Sequence, residues 1–172
     1  MVGVAQDAQG ETRLRPIVED AGARFPVLID RASKVAGFFG FQVTPSGVFV
    51  DPDGVVRYIH GSAANQFDVA DPRVRMNLDL HLAGRTPQPV DFEPRISSEA
   101  MGIFGEGANL FAAGETGQAL QMWRRALALD PDNFLIRSQI WAAERPERFW
   151  PAVDRDWQRA QLLREGYNKP LP

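Results

Sequence analysis

The chain of 172 residues has no cysteine, which excludes disulfides, thiolate catalysis and Cys-ligated metals within it. Histidine is scarce. His60 and His81 are the only two, and they have no His-x-x-x-His spacing, so both read as surface or packed side chains. Neither a metal nor a cofactor is expected. Positive charge is not in excess: 19 Lys and Arg face 22 Asp and Glu, for a net charge of −3, which argues against nucleic acid as a partner. No apolar run approaches the roughly 18 to 20 residues needed to span a bilayer, so no membrane segment is expected. The opening "MVGVAQDAQG" lacks a basic region followed by an apolar one, so the chain as written is read without a secretory signal. Its compartment is left open.

What is present is a folding composition, 44% hydrophobic and 24% charged, in a length that suits one ordinary domain or two small ones. That composition shifts along the chain. Trp123, Trp141, Trp150 and Trp157 all lie in the second half, while the β-branched runs lie in the first. Between them "GRTPQPVDFEPRIS" carries Pro87, Pro89 and Pro94, which block regular structure. The expected division is therefore 1–84, a proline-rich linker over 85–97, and 98–172.

The first part alternates strands and helices. "VGVA" (2–5) and "FPVLID" (25–30) are short apolar runs separated by a helical pattern at Leu14, Ile17, Val18 and Ala21, with Pro16 placed near the first turn. "RASKVAGFFG" predicts a short helix that buries Val35, Phe38 and Phe39 and stops at Gly40. "SGVFVD" and "VVRYIHG" flank "PDG", the strongest hairpin signal in the chain. Asp71-Pro72 reads as an N-cap with proline at the first helical position, and Val74, Leu78 and Leu82 form the stripe that follows. The order β-α-β-α-β-β-α implies a mixed sheet, parallel across the helices and antiparallel at the hairpin.

"VGVAQDAQG", "FPVLID" and "FGFQVTPSGVFVDPDGVVRYIHG", with the closing helix, resemble the thioredoxin-like redoxins. These are the family shared by alkyl hydroperoxide reductase/thiol-specific antioxidant (AhpC/TSA) proteins and TlpA/ResA thiol–disulfide oxidoreductases. The resemblance covers 1–84 and is most specific at Val43-Thr44-Pro45 and the strand after it. It implies a cis peptide bond before Pro45 and a substrate-binding role for Thr44 and Pro45. It implies thiol–disulfide exchange or peroxide reduction as the parent activity. In the family, a Cys-bearing strand and helix precede the segment matching "VGVAQD", so this chain reads as N-terminally incomplete, with no catalytic residue of its own. The absent strand would lie between "VGVA" and "GVFV", and the open sheet edge invites self-association.

The second part reads as helices. In "GEGANLFAAGETGQALQMWRRALALDPDN", Gly107, Leu110, Gly114, Ala119, Trp123, Ala126 and Pro131 follow the spacing of one tetratricopeptide (TPR) repeat. Gly107 and Ala119 would let two antiparallel helices approach, with Trp123 and Ala126 packed in the seam. "NFLIRSQIW" begins a further helix. "RFWPAVDRDWQRAQLLREG" predicts a last one, with Trp150, Val153, Trp157, Ala160 and Leu163 on its buried stripe. The fold class expected overall is α/β, a partial thioredoxin-like mixed sheet with flanking helices, followed by an all-α TPR-like module.

Other patterns read as structure. Asp51 and Asp53 match the start of a calcium loop only in spacing, since its closing Glu is missing, and they are turn formers. Gly102, Gly105 and Gly107 do not follow a strand, so helix packing explains them better than a nucleotide does. Ser46 has no elbow motif around it. Arg145, Arg148 and Arg155 alternate with Glu144, Glu147 and Asp156 as a solvated face. Two functional expectations remain: a redoxin-family protein without its thiol, or a non-catalytic scaffold that binds a protein or peptide through its helices.

Overall fold

The computed structural model describes residues 1–61, 66–89, 97–166, 169 and 171. Its elements run β1 (Gly3–Ala5), α1 (Glu11–Asp20), β2 (Val27–Ile29), α2 (Lys34–Phe39), β3 (Gly47–Val50), β4 (Val56–His60) and α3 (Pro72–Leu82). They continue with α4 (Ser98–Ala112), α5 (Thr116–Leu129), α6 (Phe134–Glu144), a 3-10 turn at Pro146–Arg148 and α7 (Arg155–Glu165). A small strand region with both parallel and antiparallel pairing is thus followed by a helix-rich region.

The mixed sheet expected from the element order is divided between "VGVA" and "GVFV", where the sequence reading puts an absent strand. Among the described residues β1 pairs with β2 in parallel and β3 with β4 antiparallel, as two separate two-stranded sheets. The compact units follow this split: one is Met1–Phe38 with Ser97–Pro172, the other Phe39–Ile96. The expectation from sequence instead kept 1–84 together and cut the chain at 85–97. Residues 90–96 of that linker lie outside the described residues, but its start is structured. Asn77, buried in mid-α3, accepts from the Gln88 amide at 2.7 Å and donates to the Gln88 carbonyl at 3.2 Å. Those two bonds hold residues 85–88 against α3, as a strand partner would.

In the first unit the core is helical. Ala100, Phe104, Ala108, Ala119, Trp123 and Ala126 pack together with Leu127, Ile136 and Ile140. Ala8, just past β1, joins this cluster. Gln139 of α6 explains why: its amide accepts from the Ala8 N–H at 2.9 Å and donates to the Gln6 carbonyl at 3.5 Å, so a side chain completes the hydrogen bonding of the segment after β1. Three of these helices start at a side-chain cap. Ser97 caps α4, Asn133 caps α6, and Asp154 caps α7, each accepting a backbone N–H from the first turn.

Several expected stripes differ. Phe38 is 75% exposed, so α2 buries Ala36 and turns Phe38 outward. Pro16 lies inside α1, past its first turn, and α1 has no fully buried residue. Leu82, near the end of α3, is exposed, while Asn77 is buried in its place. The last helix begins only at Arg155, because Pro151 and the Asp154 cap interrupt the pattern. Trp150 and Val153 precede it, and Leu163 is 81% exposed. The half-buried positions of α7 are Trp157, Gln158, Gln161, Leu162 and Glu165.

Candidate functional site

In the Phe39–Ile96 unit, the segment before β3 presents the residues singled out by resemblance. Val43 is buried, and Thr44 and Pro45 follow it on the surface. The Thr44–Pro45 bond is cis, as the resemblance implies. Ser46 Oγ donates to the Val43 carbonyl at 2.8 Å, closing a local turn. The Pro45 carbonyl accepts from Phe67 N–H at 3.0 Å, and a side chain at Gly47 would collide with the Phe67 ring. The loop is therefore held from behind while Thr44 and Pro45 face outward. Ser46 spends its hydroxyl on this turn, in keeping with the absence of a nucleophile motif.

Behind the loop lies an aromatic stack. Phe49 stacks on Tyr58 at 4.7 Å and on His81 at 5.2 Å, and meets Phe67 edge-on at 6.1 Å. Tyr58 Oη and His60 Nδ1 share a buried hydrogen bond of 2.9 Å. Both histidines are thus packed into structure, and among the described residues no group of His, Asp and Glu could hold a metal.

The hairpin turn is organised by Asp51. Its Oδ1 accepts from the N–H groups of Asp53 at 3.0 Å and Val55 at 2.9 Å, and its Oδ2 accepts from Arg57 Nε at 2.6 Å. The Val55 amide first, and then Arg57, hold the Asp51 carboxyl below the usual range. A cleft of about 600 Å³ opens beside this turn, toward the C-terminal end of α3.

The Met1–Phe38 and Ser97–Pro172 unit holds the other expected residues, and here they converge. Gly107, Ala119, Trp123 and Ala126 are all buried in the seam of α4 and α5. Trp123 lies between Phe104, at 5.5 Å, and Phe111, at 5.3 Å. Its Nε1 donates to the Phe104 carbonyl at 3.1 Å. The expected solvated face is also found: Arg148 pairs with Asp154 at 2.9 Å on the surface, and Glu144 pairs with Arg124 of α5.

Two polar arrangements in this unit are not foreshadowed by the sequence patterns. Arg137 is only 1% exposed. It donates to Glu165 at 3.0 Å, to the Pro131 carbonyl at 3.3 Å and to the Lys169 carbonyl. Glu165 also accepts from Trp141 Nε1 at 3.1 Å, and Trp141 meets Trp157 edge-on at 5.7 Å. The only signal in the sequence was a charged residue set between Ile136 and Ile140. The second arrangement lies at the start of α1, where burial pushes the Asp7 carboxyl above its usual value. The Gln9 amide and the nearby Arg13 and Arg31 pull it back in part. A side chain at Gly10 would run into the Arg31 guanidinium.

Among the described residues no helix is long and apolar enough to cross a membrane. Compared with protein-family models, curated proteins and solved structures, the chain matches none of them.

Proposed function

We propose that residues 1–84 are a redoxin-type, thioredoxin-like segment, and that the protein serves thiol–disulfide exchange or peroxide reduction on the substrate-binding side alone. The observation that carries this reading is the exposed Thr44–Pro45 pair, anchored from behind and leading directly into β3 of a β-α-β-α-β-β-α order. By the resemblance, the residue before the proline, Thr44, offers its backbone to an extended polypeptide. With no cysteine the chain supplies no thiolate, so it binds and does not turn over. The test titrates the full chain, labelled with 15N, with an unfolded, S-alkylated protein. Saturating amide shifts centred on Gln42–Ser46 support the reading, and their absence refutes it. In parallel, the chain is assayed with a dithiol-reduced protein disulfide and with hydrogen peroxide. Sustained turnover of either would refute the division of labour.

A second reading treats the helices as a TPR-like module for a protein partner. What favours it is the α4–α5 pair itself, with Gly107 and Ala119 admitting Trp123 to the seam and α6 packed on α5. Self-association belongs with either reading: Val4 and Leu28 on the β1–β2 pair, and Val2 just before it, are exposed, and parallel sheets are ordinarily covered on both faces. Sedimentation over a range of concentrations tests it, and a monomer throughout would exclude it.

A further inference from the structure

We propose that the cleft beside the β3–β4 turn binds a small organic anion through carboxylate or phosphate oxygens, with Arg57 and Arg85 as the binding groups. The cleft is lined from two directions within the Phe39–Ile96 unit. From the hairpin come Val50, Asp51 and Arg57. From the end of α3 and the segment after it come His81, Arg85 and Thr86.

The hydrogen bonding decides the sign of the ligand. Asp51 is the one carboxylate among the described lining residues, and both its oxygens are occupied, Oδ1 by two turn amides and Oδ2 by Arg57 Nε and Nη2 at 2.6 Å. A cation would find no free carboxylate there. Arg57, by contrast, is gripped along one edge of its guanidinium and keeps further N–H donors. A fork held in this way suits a second oxyanion. Arg85 makes no ion pair among the described residues. Its backbone is fixed by an N–H bond to the Leu80 carbonyl at 2.9 Å, and the wall it starts is tied to α3 through Asn77 and Gln88. His81 is held by stacking on Phe49, and Thr86 adds a hydroxyl.

Size decides the rest. The open cleft, about 600 Å³, leaves room beyond one bare oxyanion for the organic remainder of a ligand. Val50 and Leu82 give the remainder of the ligand an apolar surface. The whole chain is acidic, at −3, so two arginines facing one cleft are not a sample of a generally basic surface.

The test follows the backbone amides and arginine Nε–H signals of the full 15N-labelled chain. The probes are citrate, phenyl phosphate and inorganic phosphate, each at about 10 mM, a level that reveals millimolar binding, and against chloride at matched ionic strength. Saturating shifts at Arg57, His81 and Arg85 with citrate or phenyl phosphate are expected, and which of the two binds more tightly separates a carboxylate from a phosphate ligand. Arg85 is exposed, so Arg85→Gln should melt like the parent while binding about tenfold more weakly or worse, the usual loss for a charge-assisted bond. Arg57→Gln gives a second variant with the same expected direction. No saturating shift, equal shifts with chloride, or binding unchanged in Arg85→Gln would overturn the site. Inorganic phosphate binding as tightly as the organic probes would overturn its organic character.

Discussion

Replacing Gly107 with alanine should destabilise the protein, although alanine is the better helix former. A Cβ built at Gly107 would sit 2.6 Å from both Cδ1 and Nε1 of Trp123 and 3.1 Å from Met122 Cβ. The indole has nowhere to move: it is fully buried, flanked by Phe104 and Phe111, and tied to the Phe104 carbonyl. Overpacking of this kind costs about 1–3 kcal/mol. The gain in helix propensity returns about 0.8–1 kcal/mol, which leaves a net loss of up to about 2 kcal/mol by these two terms. Gly102, on the same helix, is the internal control. It is exposed, with nothing within 4 Å of its would-be Cβ, so Gly102→Ala should stabilise by about 0.5–1 kcal/mol. Urea unfolding followed by helical circular dichroism measures both. The two substitutions should move the midpoint in opposite directions, and Trp123→Phe should relieve part of the Gly107→Ala penalty by removing the clashing ring edge. Refutation is equally plain: if Gly107→Ala is as stable as Gly102→Ala, the close approach at the seam is not there.

Further outcomes follow from the same geometry. Trp123→Ala should cost about 3–5 kcal/mol, the range for a buried aromatic, and a melt unchanged from the parent would place the ring outside the core. Glu165→Gln removes the negative partner of the buried Arg137 guanidinium, which keeps the Pro131 and Lys169 carbonyls, so thermal unfolding should show a loss of about 1.5–3 kcal/mol, the worth of a charge-assisted hydrogen bond. Gln139→Ala removes the acceptor of a buried amide and should cost about 1–3 kcal/mol, with faster hydrogen exchange at Ala8 as its local signature. The Asp71 carboxyl, held by the Arg73 side chain and then by the Arg73 amide, is lowered from 3.8 to about 2. A depressed folded-state value means that its contribution is present above the ordinary carboxylate range and is lost as pH falls from about 4 toward 2. Asp71→Asn should flatten that part of the stability profile measured by acid titration.

Local structure was legible wherever neighbouring residues alone decide it. Asp71-Pro72 starts α3 with the Asp71 carboxylate on the Arg73 amide, and "PDG" turns the chain between β3 and β4. Both depend on groups within a few positions of one another. The α4–α5 seam was legible too, because Gly107, Ala119, Trp123 and Ala126 belong to a single hairpin whose helices must meet across a short turn. The buried polar groups were not. Asn77, Arg137 and Glu165 look like surface residues in any periodicity count, since burial of such groups depends on partners elsewhere in the chain. The cleft was hidden for the same reason: Asp51 and Arg57 read as a hairpin turn, and Arg85 as the start of a linker.

The amino-acid order by itself determined which segments are strands and helices, where most of them begin, and that no thiol chemistry can arise from these residues. Those properties rest on local backbone preference, on periodicity and on simple presence or absence. Only the tertiary structure decided which apolar side chains are covered. Phe38 and Leu163 have the same chemistry as their buried neighbours, yet they stay largely exposed because their places on the folded helices turn toward solvent. It also decided that residues 1–38 join the C-terminal helices instead of the hairpin that follows them, through Ala8 in the helical core and Gln139 some 131 positions away. A contact at that separation exists only once the intervening chain has folded and met the entropy of closing so long a loop.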